Sequence, residues 1–233
     1  MQIPRNYYQE DFSEFAEILA AEANNSITSY KPGEYLKPMG KIHSSIFYII
    51  DGMAYLSLHT DEGKEKIVHF NGAGALTPLY KGTEAFTIEL AVSIRASTHV
   101  KAYQLTLSQF KKIMDENPDL KDKMFSYTIR KICLLLYESV NQLYNNTITK
   151  TCNFLFLFFH NSKQDGKEIP LKLSQEKLST AIGVSRVQAT RVLRQLQEKG
   201  IVSVHRNNIT LLDKKRLQEL CSYELNDSDE EDD

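Results

Sequence analysis

Residues 175–196, QEKLSTAIGVSRVQATRVLRQL, constrain this chain more than any other stretch. Leu178 and Ile182 are four apart and share one face of a short helix. Gly183 follows at once, where the chain needs a positive φ that glycine adopts cheaply. Val184 is placed to pack beneath the turn, and Ser185 to cap a second helix. Ala189, Val192 and Leu196 form the inward stripe of that helix. Its outward face then carries Ser185, Arg186, Val187, Gln188, Thr190 and Arg191. Two helices meeting at a tight turn, the second with a small polar and basic face, have the layout of a helix-turn-helix. In that motif the first helix braces and the second enters a DNA major groove. An amphipathic pair with solvated charges is the competing reading. The glycine and both apolar stripes fall in the register that a helix-turn-helix requires.

Charge is distributed to match. Residues 147–222 hold 13 Lys and Arg against 6 Asp and Glu, whereas residues 223–233 hold 7 acids and no base. A basic C-terminal module beside a near-neutral N-terminal one fits one domain for nucleic acid and another for a different task. The acidic tail 223–233 reads as disordered. No apolar run approaches the roughly 18 residues of a membrane span, and FLFLFF at 154–159 is far too short. MQIPRNYYQEDF lacks the basic and apolar regions of a signal peptide, so a cytoplasmic protein without membrane partners is expected. Cys133, Cys152 and Cys221 are widely spaced and odd in number. They support neither a disulfide framework nor a metal cluster, and buried thiols are expected.

The fold class predicted from the pattern is α+β. Residues 9–23 carry Phe12, Phe15, Ile18 and Leu19 at helical spacing. From about 27 to 107, short runs rich in β-branched and aromatic residues alternate with turn signals such as Pro32-Gly33 and Asp51-Gly52. The runs are 45–50, 54–59, 66–70, 87–94 and 99–105, and they imply an antiparallel β-roll of jelly-roll type. A helix is expected at 108–117, then a long one over 119–145. Phe125, Ile129, Ile132, Leu136, Val140 and Leu143 step along the long helix by four and three, close to a coiled-coil seam that pairs two copies of the chain. A hinge falls at Asn145-Asn146-Thr147, followed by a helix at 148–161. After the helix-turn-helix, 201–204 and 209–212 read as the two strands of a wing. The predicted domains are a sensory roll (1–118), a dimerisation helix (119–146), a winged helix-turn-helix (147–222) and the tail (223–233).

Roll, long helix and winged helix-turn-helix, in that order, resemble the Crp/Fnr family of bacterial transcription regulators. FYIIDGMAYLSLHTDEGKEKIVHF (47–70) is similar to the family's strand–Gly–strand core, with turn glycines at Gly33, Gly40, Gly52 and Gly63. IGVSRVQATRVLRQLQEKGIV (182–202) is similar to its recognition segment. The resemblance implies a homodimer, a palindromic DNA operator, RNA polymerase as a partner, and no enzymatic activity. Members that bind cyclic nucleotides carry a Gly-Glu pair and an Arg-Ser or Arg-Thr pair. By register this chain has Pro78-Leu79 and Leu90-Ala91 there, and leucine cannot hold a phosphate. Cyclic AMP is therefore not expected as effector, and no cofactor is predicted. Haem would need an axial ligand, for which His43, His59 and His69 are candidates in the roll. The stretch Tyr127–Lys131 resembles the matching helix of members that sense halogenated phenols, in which a lysine pairs with a phenolate. Tyr127, Arg130, Lys131, Leu79 and Leu90 are thus the expected effector pocket. A solvated helix charge is the simpler reading of Lys131, and a roll that senses nothing remains the alternative to a gated one.

On the DNA side, Arg186 and Arg191 are expected at bases or phosphates, and Ser185, Gln188 and Thr190 at phosphates or an adenine edge. Many family members carry a glutamate where Val187 stands. Valine suits a thymine methyl instead, which predicts an A·T-rich half-site. Lys150, Lys177, Arg194 and Arg206 are expected at phosphates.

Overall fold

The computed structural model describes residues 10–39, 45–78, 91–159, 163–164, 167–168, 171–206 and 208–225. The readings made at Gly40, His43, Leu79, Leu90 and Asn207, and in the tail beyond Leu225, lie outside the described residues. The chain divides into two compact units, and the division falls between Leu134 and Leu135, inside a long helix.

The N-terminal unit opens on a 3₁₀ turn, Ser13–Phe15, leading into α1 (Ala16–Glu22). This helix starts later than the spacing of Phe12 and Phe15 suggests. The Phe12 amide donates to Gly74 O at 2.8 Å, so the backbone there is tied to the roll. Eight strands follow: β1 (Ile27–Tyr30), β2 (Tyr35–Lys37), β3 (Ser45–Asp51), β4 (Ala54–His59), β5 (Glu65–Asn71), β6 (Leu76–Thr77), β7 (Ala91–Ala96) and β8 (Val100–Thr106). They form two antiparallel sheets, ordered β1-β8-β3-β6 and β2-β7-β4-β5. The expected strand at 87–94 is described from Ala91 onward.

Side chains alternate across a strand, and both faces of β3 are buried. Phe47 and Ile49 meet Leu56, Val92 and Ile94 between the sheets. Ile46 and Tyr48 point the other way, into a second core with Phe12, Leu19, Phe110 and Leu120. At the β3–β4 turn Gly52 has φ +85°, and a Cβ there would sit 1.9 Å from His99 O. Only glycine fits that approach. Helix α2 (Leu107–Glu116) begins with a Thr106/Gln109 capping box. Pro118 opens α3 (Pro118–Tyr144) at the position where its missing N–H costs nothing.

The C-terminal unit takes the end of α3, then α4 (Thr147–Phe159), β9 (Lys163–Gln164), β10 (Lys167–Glu168), β11 (Leu171–Lys172), α5 (Gln175–Ile182), α6 (Arg186–Glu198), β12 (Val202–His205), β13 (Asn208–Leu211) and α7 (Lys214–Gln218). The run Phe154–Phe159 is buried throughout, and α4 packs on α5, α6 and α7. Strands pair in the order β11-β13-β12, so the wing is a three-stranded sheet rather than a bare hairpin. The ordered chain also runs past residue 222. Tyr223–Leu225 forms a 3₁₀ turn anchored by buried Leu225, whose carbonyl accepts from Gln218 Nε2.

Candidate functional site

Helices α5 and α6 are each closed by local chemistry. Ser174 Oγ accepts from the Lys177 amide at the start of α5, and Gly183 ends it at φ +70°. Ser185 caps α6, its Oγ accepting from the Gln188 amide, while Gln188 Oε1 accepts from the Ser185 amide at 3.0 Å. That capping box satisfies two of the donors a helix start leaves open. Ala189, Val192 and Leu196 are buried as their spacing predicts, and Leu193 joins them. Val184 is only half-buried beneath the turn.

The outward face is narrower than its composition suggests. Thr190 Oγ1 lies 2.8 Å from both Gln175 Oε1 and Arg186 O. Ser185, Gln188 and Thr190, all expected to reach DNA, thus already hold hydrogen bonds within the motif. Short polar side chains bond nearby backbone and neighbours, which is why they suit caps. Arg186, Val187 and Arg191 are exposed on the same face and hold no side-chain hydrogen bond among the described residues, with Val187 79% exposed. Arg194 Nε donates to Glu198 Oε1 at 2.9 Å on the exposed helix surface. A groove of about 500 Å³ runs between α6 and the wing, flanked by Gln175, Thr190, Arg194, Val204 and Arg206. Lys177 is half-buried and Arg206 sits at the wing turn with φ +54°. Lys150 Nζ is turned onto Gln142 O at 2.8 Å.

The seam residues are all on the surface. Phe125, Ile129, Ile132, Leu136, Val140 and Leu143 are between 46% and 71% exposed. Leu135 and Tyr144 extend the strip.

A second site lies in the roll. His69 on β5 pairs across the sheet with Leu56, and so points to the inner face. From α3, Lys131 reaches it: Nζ lies 3.1 Å from His69 Nε2 and 3.2 Å from Tyr127 Oη, one helical turn away. The Tyr127 ring meets Phe12 edge-on at 5.7 Å. Among the described residues no carboxylate lies within ion-pair distance of Lys131. Burial brings its ammonium down to about 7. Burial first, and the Lys131 charge second, hold His69 well below its usual range. When Lys131 is protonated its ammonium donates to His69 Nε2, and the imidazole proton then rests on Nδ1. That Nδ1 is buried with no hydrogen-bond partner among the described residues, as is Asn71 Oδ1 on the same strand face.

Lys131 is therefore not a solvated charge. Arg130 does not join it: 100° around the helix, it is exposed and ion-paired with Glu10. His59 is engaged at its own Nε2, 2.8 Å from Ser93 Oγ. Of the three thiols, Cys133 is exposed on α3, contrary to expectation. Cys152 and Cys221 are buried, and burial pushes Cys152 up to about 12. Asn71 and Gln175 carried no signal in the sequence that set them apart, and His69 was named there only as a candidate haem ligand.

A roll, a long helix and a winged helix-turn-helix define a class of transcription regulator. Residues 27–117 match the cyclic nucleotide-binding domain family, and residues 149–220 match the Crp-like helix-turn-helix domain family. The chain is 26% identical over 172 residues to the global nitrogen regulator of Nostoc sp., covering 71% of this chain and 76% of that protein. It is 21% identical over 193 residues to the cAMP-activated global transcriptional regulator CRP of Salmonella typhimurium, covering 79% and 89%. A CprK variant complexed with OCPA shares the fold with a TM-score of 0.66 at 18% identity, over 94% of this chain and 97% of that one. The chain thus joins a cyclic nucleotide-binding domain to a Crp-like helix-turn-helix domain, and its relatives are transcription regulators of the Crp/Fnr type. Among the described residues no helix is long and apolar enough to cross a membrane.

Proposed function

We propose that this regulator binds an A·T-rich inverted repeat as a homodimer, in the cytoplasm and alongside RNA polymerase, under the control of a small organic anion. The observation that carries the DNA reading is the exposed set Arg186, Val187 and Arg191 on a helix start whose Ser185, Gln188 and Thr190 already hold hydrogen bonds within the motif. Two such helices, one from each copy, enter successive major grooves about 34 Å apart. The arginines bond guanine edges or phosphates, and the valine methyls meet a thymine methyl. The exposed strip from Phe125 to Leu143 supports pairing through α3, because apolar rows of that length are costly in water. Lys177, Arg194 and Arg206 supply sequence-neutral phosphate contacts.

The effector reading rests on the buried ammonium of Lys131, which lacks an anionic partner among the described residues. A phenolate or carboxylate fits that need, and it is the ionised form that an ammonium in an apolar setting selects. Cyclic AMP does not fit. Leu79 and Leu90 stand where a cyclic phosphate and a ribose need charged groups.

Selection of bound sequences from a random duplex pool is expected to return an A·T-rich palindrome. A G- and C-containing half-site refutes the Val187 argument. Thermal melting with chlorophenolates, benzoate or cyclic AMP tests the effector. Stabilisation by the anions that is absent in Lys131→Met supports the reading. Stabilisation by cyclic AMP, or by none of the three, refutes it and leaves the ligand-independent alternative.

A further inference from the structure

The C-terminal unit holds a buried polar network that neither DNA contact nor dimer pairing uses. Asn153 sits in the apolar run of α4 with no exposed surface, and Asn141 on α3 is 4% exposed. Asn153 Nδ2 donates to Asn141 Oδ1 and to Ser222 Oγ, each at 3.0 Å, while its Oδ1 accepts from the Ser222 amide at 2.9 Å. Asn141 Oδ1 also accepts from Asn145 at 2.8 Å, and Asn141 Nδ2 donates to Glu138 at 3.1 Å. One turn round on α3, Gln142 Nε2 donates to Glu138 Oε1 at 2.7 Å and to Ile182 O at 3.1 Å.

Ile182 is the last residue of α5, and its carbonyl is one of those a helix end leaves open. Gly183 and the recognition helix follow directly. Gln142 O, in the last turn of α3, is itself taken by Lys150 of α4. The end of the pairing helix is thus bonded to the turn of the helix-turn-helix and to the core helix beneath it. Apolar contacts alone tolerate sliding and rotation. A network of directional bonds, built on the buried amides Asn141 and Asn153 with half-buried Glu138, Gln142 and Ser222 around them, favours one arrangement.

We propose that Gln142 and Asn153 are positioning residues that set the angle of the recognition helix to α3, and through it the half-site spacing the dimer accepts. This rests on the dimeric DNA-binding reading above. A rigid link makes affinity depend sharply on the number of base pairs between half-sites, since each added pair rotates the second groove by about 34° and moves it about 3.4 Å. A loose link makes that dependence shallow without changing what a single half-site offers.

The test uses the full-length protein and the operator it selects from a random pool. Duplexes with one or two base pairs inserted or deleted at the centre are compared with the selected spacing, and with a single half-site. The wild type is expected to lose at least tenfold in affinity per base pair of change. Gln142→Met keeps length and volume but breaks the bond to Ile182 O. It is expected to lose less than threefold per base pair, with single half-site affinity within twofold of wild type. Asn153→Ala is expected to flatten the profile in the same way. Gln142 is only partly buried, so its variant serves where Asn153→Ala fails to fold. A spacing profile for Gln142→Met as steep as the wild type overturns the proposal while leaving the DNA-binding reading intact. Selection of no two-fold operator by the wild type overturns both.

Discussion

Replacing Lys131 by Met is expected to stabilise the protein at neutral pH, and to do so less and less as pH rises. The ammonium lies beside His69 and Tyr127 with no carboxylate in reach among the described residues. Burial lowers it from 10.5 to about 7. At about 1.4 kcal/mol per pH unit, that drop corresponds to roughly 5 kcal/mol of burial penalty when the group is charged in both states. The unfolded chain holds the proton between pH 7 and 10.5, where the folded chain has released it. The unfolded state then binds more protons, so stability rises with pH across this window. Below pH 7 both states are charged and the penalty is full. The gap between Lys131→Met and wild type is therefore about 4 kcal/mol at pH 7 and about 1 kcal/mol at pH 10. His69 stays neutral in the fold throughout that range, because its shift is downward from 6.5. The chain has no tryptophan, so urea unfolding is followed by far-ultraviolet circular dichroism. Parallel stability profiles for the two proteins between pH 7 and 10 would show a solvated ammonium and refute the reasoning. The same charge is the basis of the anionic effector proposed above. An anion placed beside Lys131 restores its proton and removes the penalty, so binding and proton uptake go together.

Val187→Glu is expected to exchange the thymine preference for cytosine at one half-site position, by about 1–3 kcal/mol, read by repeating the pool selection. An unchanged operator would place residue 187 away from the base edges. Arg191→Ala is expected to cost about 1–3 kcal/mol of operator affinity if the arginine touches a base. A loss equal across all sequences, with a shallower salt slope, would assign it to a phosphate. Leu136→Lys puts a charge into the exposed α3 strip, and sedimentation should show monomers in place of dimers. Gly52→Ala meets the His99 carbonyl at 1.9 Å and an unfavourable φ, and is expected to lower the melting temperature of the roll markedly.

The features legible in the sequence were the local ones. Ser174, Gly183 and Ser185 mark the helix-turn-helix because caps and left-handed turns are made by residues a few positions apart. Pro118 and the hinge at Asn145-Asn146 mark the ends of α3 for the same reason. Seam residues at four-and-three spacing had to share a face once α3 was a helix. Asn153, at the head of the apolar run 154–159, was not among the legible features, although a buried amide needs partners. Its partners were not readable.

Tertiary structure alone decided what these groups do. Lys131 and His69 are 62 residues apart, and nothing near either position announces the other. The register of β5 turns His69 inward and one helical turn aligns Tyr127 with Lys131, so a charge that pattern would leave in water is buried. Thr190, expected at DNA, also bonds Gln175, 15 residues earlier, a partner its position in the sequence does not announce. Sequence determines which helices form and which faces they show, because backbone geometry repeats every few residues. Whether a polar side chain on such a face meets water, DNA or another part of the chain depends on distant segments arriving beside it, and only the folded chain settles that.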